Sequence, residues 1–285
     1  GMGTPILIGR EEIIKDKMNS IGLDFYDQME IHNTRNKSSH DRYADHIYKR
    51  LQRKGFLKKD CLELLRKERN VFGACMVSLK DADAMICGLN RSYALSLESI
   101  EYVLDPIPNK TILGLTVMLC NGRTIFVADT NVHDMPNAQE LADITHQSAE
   151  VVKDIFGIEP RAALLSYSNF GKPFTERSAY IRDAIKILDK REVNFEYDGE
   201  MGANVAVNKN LLNLYPFCKL SGPANLLIMP AIHSASISTK LLQELGGGNL
   251  VGPYLVGFNE PIQIAPLGAN VADVVNLAAL AAFKS

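Results

Sequence analysis

The sequence predicts an α/β fold built on mainly parallel sheet, with helices on both faces, and two observations predict it. Short apolar or β-rich segments alternate with helical patterns along almost the whole chain, the order that parallel strands joined by helical crossovers require. No low-complexity linker and no internal repeat interrupts that alternation, so any domain boundary lies within it.

Taken in order, Ile6-Leu7-Ile8 reads as the first strand and residues 11–21 as a helix. Residues 41–54 predict an amphipathic helix, because Tyr43, Ile47 and Leu51 recur four apart on one face. A second helix is expected from 58 towards 77, then a short strand at 84–87, a helix at 95–104 and a strand at 112–119. Asn121-Gly122 supplies the turn residues of a hairpin into a strand at 124–128. A long helix over 138–156 should end at Gly157, which suits a C-cap. Beyond it we expect a strand at 162–166, a helix at 176–188, a strand ending at Tyr197, a helix at 203–214 and a strand at 226–229. A helix at 236–245 should stop at Gly246-Gly247-Gly248, with strands at 254–256 and 262–264 and a last helix from Asn270.

Bulk properties narrow the function. The 285 residues are 46% hydrophobic and 22% charged, with net charge −2, ordinary for a globular chain and a poor match to nucleic acid or an anionic membrane. The Cys 5 of the composition form no CxxC pair and the His 6 no HExxH, which argues against a disulfide framework or a zinc site. No apolar run approaches the ~18 residues of a membrane span. No signal-peptide pattern is present, and the expected location is the cytoplasm. Gly1-Met2 resembles an expression scar ahead of a ready-made buried strand, so the expectation is a piece cut from a longer chain.

Familiar active-site motifs are missing: no GxGxxG after a strand, no P-loop, no GxSxG elbow. Arginine is unevenly placed. Residues 192–285 contain none, whereas 36–70 hold many lysines and arginines; that basic stretch reads either as a solvated helical face or as a landing site for ligand phosphates.

Seven blocks carry a resemblance. Asp81-Ala-Asp-Ala-Met-Ile-Cys-Gly88, Val127-Ala-Asp-Thr-Asn-Val132 running into Gln139-Glu-Leu-Ala-Asp-Ile144, and Phe156-Gly-Ile-Glu-Pro-Arg161 leading into Leu164-Leu-Ser-Tyr-Ser168 are similar to phosphate acetyltransferases. Tyr197-Asp-Gly-Glu200, Pro223-Ala-Asn-Leu-Leu-Ile-Met-Pro230 and Gly252-Pro-Tyr-Leu-Val-Gly-Phe-Asn-Glu-Pro261 follow in the same order. Ser168-Asn-Phe-Gly171 resembles the version of this domain fused behind the catalytic half of bacterial NADP-dependent malic enzymes. The resemblance implies the two-lobed phosphotransacetylase architecture, akin to isocitrate and isopropylmalate dehydrogenases. Lobe one would be 1–136 plus 254–285 and lobe two 137–253, with the ligand between them. It also implies acetyl-CoA or CoA as ligand and a homodimer through lobe two. NADP and a divalent metal would belong to the half that precedes this chain.

In the acetyltransferases an Asp near the C-terminus acts as base towards the CoA thiol, beside a Ser and an Arg that steady the intermediate and the phosphate. Thiols of pKa ~8.5 need such a base, and acyl phosphates need a cationic fork. That pattern falls here on Pro266-Leu267-Gly268 and Asp273. Asp273 is the catalytic candidate, but with the Ser and Arg replaced by Pro266 and Leu267 the better reading is a carboxylate in the first turn of a helix. Of two functions, a regulatory and assembly module that binds acetyl-CoA and a working acetyltransferase with a rebuilt clamp, the missing arginine at 267 favours the first. Ligand candidates sit where α/β sheets gather their ligands, at strand ends: Arg91, Asp129 with Thr130, and Ser166, Ser168 and Asn169, each weighed against a plain surface or turn role. Cys87, in an apolar strand with no nearby histidine, reads as a small core residue.

Overall fold

The computed structural model describes residues 3–25, 28–35 and 40–284. The chain divides into two compact units, one formed by Gly1–Asp105 with Phe258–Ser285 and the other by Pro106–Gly257. The sequence had placed residues 106–136 with the first unit. They belong to the second because β4 (Leu113–Cys120) and β5 (Arg123–Ala128) pair into its six-stranded sheet.

In the first unit, β1 (Ile6–Ile8) pairs in parallel with β2 (Glu30–His32). β2 went unpredicted, since Ile31 stands alone between polar neighbours. After α1 (Glu11–Ser20), α2 (His40–Leu51) buries Tyr43, Ile47 and Leu51 as their spacing predicts. The single helix expected at 58–77 is two helices, α3 (Lys58–Lys67) and α4 (Arg69–Ser78), separated by Glu68 in extended conformation. Their burial explains the break: α3 hides only Cys61 and Leu65, while α4 is buried continuously from Val71 to Val77. One straight helix could not serve a surface and a core at once. β3 (Met85–Gly88) and β10 (Ile262–Ala265) pair in parallel, with α5 (Tyr93–Glu101) after the former and α11 (Val271–Lys284) after the latter.

The second unit's sheet has the order β7-β6-β8-β5-β4-β9, where β6 is Arg161–Leu165, β7 Glu196–Met201, β8 Leu226–Ile228 and β9 Asn249–Val256. β7, β6, β8 and β5 run parallel; β4 is antiparallel to both β5 and β9. The β4–β5 turn is at Asn121-Gly122, both with positive φ (49° and 71°), as a tight hairpin requires. One face of the sheet buries Ile125, Val127, Ala163, Leu165, Leu227 and Met229 at period two. Neighbouring Phe126, Leu164 and Ile228 are equally buried, so the parallel strands are covered on both faces.

β7 starts where the sequence reading had it end. Asp198-Gly199 looks like a turn, yet the strand continues through it, with the Asp198 carboxylate accepting from the backbone N–H of Gly199 and Lys219. A Cβ at Gly199 would lie 2.6 Å from the Leu164 carbonyl oxygen, so glycine there permits close strand contact. The helices are α6 (Ala138–Asp154), α7 (Glu176–Asp189), α8 (Ala203–Val207), α9 (Lys209–Leu212) and α10 (Ile232–Gly246). α8 and α9 replace the one helix expected at 203–214, because Asn208 leaves helical geometry to cap α9 through its side chain. No helix among the described residues is long and apolar enough to cross a membrane.

Candidate functional site

In the first unit, β3 and β10 end side by side, with Gly88 opposite Ala265. Gly88 has φ +111°, and a Cβ there would stand 2.1 Å from the Ala265 carbonyl oxygen. Leu89 follows at φ 71°, a left-handed conformation that leucine resists, held by its N–H to Ala265 O at 3.3 Å. The Arg91 loop and the Pro266–Asn270 loop thus leave the sheet together, as the C-terminal return implied.

The side chains there do not form a phosphate clamp. Arg91 forks onto Glu68, with Nη1 donating to Oε2 and Nη2 to Oε1, so its charge is already answered by a carboxylate. Leu267 is 63% exposed. Asp273 accepts from the Asn270 N–H at 2.8 Å while its own N–H donates to Asn270 Oδ1 at 3.0 Å. That reciprocal pair is a capping box at the start of α11, and it favours the helix-start reading over the catalytic one. Burial pushes the Cys87 thiol up to about 12, which removes thiolate at neutral pH and fits the core reading. In the basic stretch, Arg42, Arg50, Lys58 and Lys67 are each bound to a carboxylate (Asp81, Asp105, Asp45 and Glu63), which supports the solvated-face reading.

In the second unit, the carboxyl ends of β5, β6 and β7 bring up Asp129, Ser166 and Gly202. Two of the candidates there are consumed by the fold. Asp129 is 3% exposed; its carboxylate accepts from the N–H groups of Gly114, Asn131, Val132 and His133 and from His133 Nδ1 at 2.7 Å. Thr130 donates to the Gly114 carbonyl and meets Thr116 Oγ1 at 3.0 Å. Both shape the loop after β5, and the expectation that they hold a ligand is corrected on that ground. Burial alone would lower the His133 pKa, but the Asp129 hydrogen bond and charge, helped by Glu140 and Asp143, outweigh it and raise it.

Ser166, Ser168 and Asn169 are brought together as expected, in an arrangement the sequence did not disclose. Ser168 is fully buried and donates to Glu200 Oε1. Glu200, also fully buried, accepts from Arg182 Nη1 at 2.7 Å, and Arg182 reaches Ser178 Oγ as well. Phe174 lies against the guanidinium at 4.6 Å. An ion-paired carboxylate only accepts, so the Ser168 proton is spent on Glu200. The 3.0 Å contact between the two hydroxyls must therefore use the Ser166 proton. Ser166 Oγ already accepts from the Ser168 N–H at 3.3 Å, which leaves it one acceptor lone pair. It suits an amide or hydroxyl of a ligand and cannot donate to a phosphate oxygen. Asn169 Oδ1 accepts from Gly202 N–H at 2.8 Å, which leaves its NH₂ as an unengaged donor among the described residues. Ser168 is thus committed, through its proton, to the buried Glu200. Arg182 and Glu200 were missed because they come from two other elements; the one available signal was the Tyr197–Glu200 block itself.

Among the described residues no group of His, Cys, Asp and Glu could hold a metal ion.

This architecture is that of phosphotransacetylases: the phosphotransacetylase from Streptococcus pyogenes superposes with a TM-score of 0.88 at 26% identity, covering 99% of this chain and 87% of that one. The family described as phosphate acetyl/butaryl transferase matches residues 1–282, and the chain belongs to it. Along its whole length it is 50% identical to the NADP-dependent malic enzyme of Rhizobium meliloti, of which it covers 37%. The phosphate acetyltransferase of Treponema pallidum is 31% identical over 98% of this chain and 86% of its own. The chain therefore spans a little over a third of the malic enzyme relatives it matches and most of that acetyltransferase.

Proposed function

We propose that this chain is the phosphotransacetylase-like portion of a cytoplasmic NADP-dependent malic enzyme, serving it as an acyl-CoA-binding regulatory and assembly module. Oxidative decarboxylation of malate, with its NADP and divalent metal, would belong to the remainder of such a protein. The observation that carries the reading is Leu267: an exposed aliphatic side chain stands where the acetyltransferase pattern has its arginine, and Asp273 beside it is occupied in capping α11. Loss of one oxyanion donor alone costs about 10²–10³ in turnover. The one acceptor lone pair left on Ser166 points the same way, since it suits an amide-bearing acyl-CoA better than acetyl phosphate.

Assembly as a homodimer through the second unit is supported by α10, whose Ile237, Leu241 and Leu245 are exposed at four-residue spacing, one apolar face without cover in this chain. Sedimentation that gives a stable monomer at high micromolar concentration would refute it.

The competing reading is a working phosphate acetyltransferase; retention of Asp273 and the match to the Treponema pallidum protein favour it. Two measurements decide. Calorimetric titration with acetyl-CoA is expected to show saturable binding, and acetyl-CoA formation from acetyl phosphate is expected to be absent. Turnover within about tenfold of a genuine family member would overturn the regulatory reading.

A further inference from the structure

At the opposite ends of the second unit's parallel strands lies a pocket of about 330 Å³. β8 runs between β5 and β6, so their starting residues are neighbours, and two of them are arginines: Arg123 opens β5 and Arg161 opens β6. Both guanidiniums are pinned by backbone carbonyls, from the segment that enters β8 and from the end of α8. Arg161 Nε donates to the Pro223 carbonyl at 3.0 Å; Arg123 Nη1 donates to the Val207 carbonyl at 3.0 Å and Nη2 to that of Ala224 at 3.5 Å. Asn225, between the strands, accepts from the Arg161 N–H and donates to the Glu159 carbonyl. Thr124 adds an exposed hydroxyl, and buried Ile125 and Ala224 form an apolar floor.

Arg42, Arg50, Arg91, Arg182 and Arg191 are each bound to a carboxylate. Like exposed Arg10, Arg53, Arg66 and Arg69, Arg123 and Arg161 have no carboxylate partner among the described residues; what distinguishes them is that both line one pocket. Two carboxylates stand close by and neither pairs with these arginines: Glu159 pairs with Lys153 at 3.2 Å, and Glu196, opposite Arg161 on β7, accepts from the N–H and hydroxyl of Ser221. Each guanidinium has five N–H donors, and carbonyls use only part of them. Two uncompensated cations held around one concavity repel each other, and an anion between them reverses that term. A planar fork matches phosphate oxygens in particular.

We propose that this pocket binds a phosphoryl group, at a place separate from the carboxyl-end loops of the same sheet. The source is either a free phosphorylated metabolite or the phosphates of coenzyme A.

The test uses the whole chain and sodium pyrophosphate as probe, titrated by calorimetry at moderate ionic strength. Saturable binding is expected, weakened roughly ten- to hundredfold by Arg123→Gln or by Arg161→Gln, with Arg91→Gln unchanged. Absence of saturable binding at millimolar pyrophosphate, or variants that bind as the parent does, overturns the proposal. Because these arginines also tie strand entries, a second measurement needs no variant. Phenylglyoxal labelling with peptide mapping should show pyrophosphate slowing modification of Arg123 and Arg161 but not of Arg91; equal labelling with and without it overturns the proposal. A parallel coenzyme A titration identifies the source: weakening by the same variants assigns the phosphoryl group to coenzyme A, and indifference assigns it to a free metabolite.

Discussion

Two strand-end regions of this chain meet the same demand in opposite ways. After β6 and β7, Ser166, Ser168, Glu200, Arg182 and Ser178 form one connected network around the fully buried Ser168 and Glu200. After β3 and β10, the backbone is equally constrained, at Gly88 and Leu89, but the side chains are a surface ion pair, an exposed leucine and a helix cap. The difference is one of tolerance to substitution. A buried charged network cannot lose one member without stranding another, whereas an exposed arginine at position 267 could be replaced by leucine with no penalty to folding.

The sharpest way to break this contrast is to cut the buried network. Arg182→Met strands the Glu200 carboxylate, and we expect a loss of about 3–5 kcal/mol in stability, measured by urea denaturation. A loss under about 1 kcal/mol would mean that the two regions are alike. In the other region, Pro266→Ser with Leu267→Arg rebuilds the donor pair. If only those side chains separate this chain from a working acetyltransferase, turnover of acetyl phosphate should rise on the order of 10²-fold above the parent. No rise would place the deficiency deeper in the fold.

A smaller effect is expected at the start of α11. Asn270→Ala removes the capping box and should cost about 1 kcal/mol by thermal denaturation, with acetyl-CoA affinity unchanged. A binding loss without a stability loss would return Asp273 to the ligand.

The smallest effect is pH-dependent and sits at the end of β5. The folded-state pKa of His133 lies above its ordinary value near 6.5. The stabilisation from its pairing with Asp129 is therefore fully present below about pH 6.5 and is lost as pH rises through the folded-state pKa. The stability difference between the parent and His133→Gln should shrink across that window; a difference independent of pH would show that the charge contributes nothing.

Much of this architecture was legible in advance. Four-residue spacing placed α2, and Asn121-Gly122 placed the hairpin, because those signals depend on neighbours in sequence. The failures share a cause. The break at Glu68, the run of β7 through Gly199 and the strand at Ile31 answer to partners far along the chain: a core that must swallow α4, a carbonyl at Leu164 and a parallel neighbour at β1. The boundary at residue 136 failed likewise, since only strand pairing shows which sheet owns β4 and β5.

The candidate site divides along the same line. The sequence by itself determined which residue types stand at the strand ends and that arginine is missing from position 267. Family membership was also within its reach, carried by blocks of contiguous residues. Only the tertiary structure decided what those residues are free to do. Asp129, Thr130 and Asp273 turned out to be occupied, and the proton direction at Ser166 was set by a carboxylate 34 residues away at Glu200. Hydrogen-bond capacity is finite, and whether a side chain has any left for a ligand depends on every neighbour that folding brings to it.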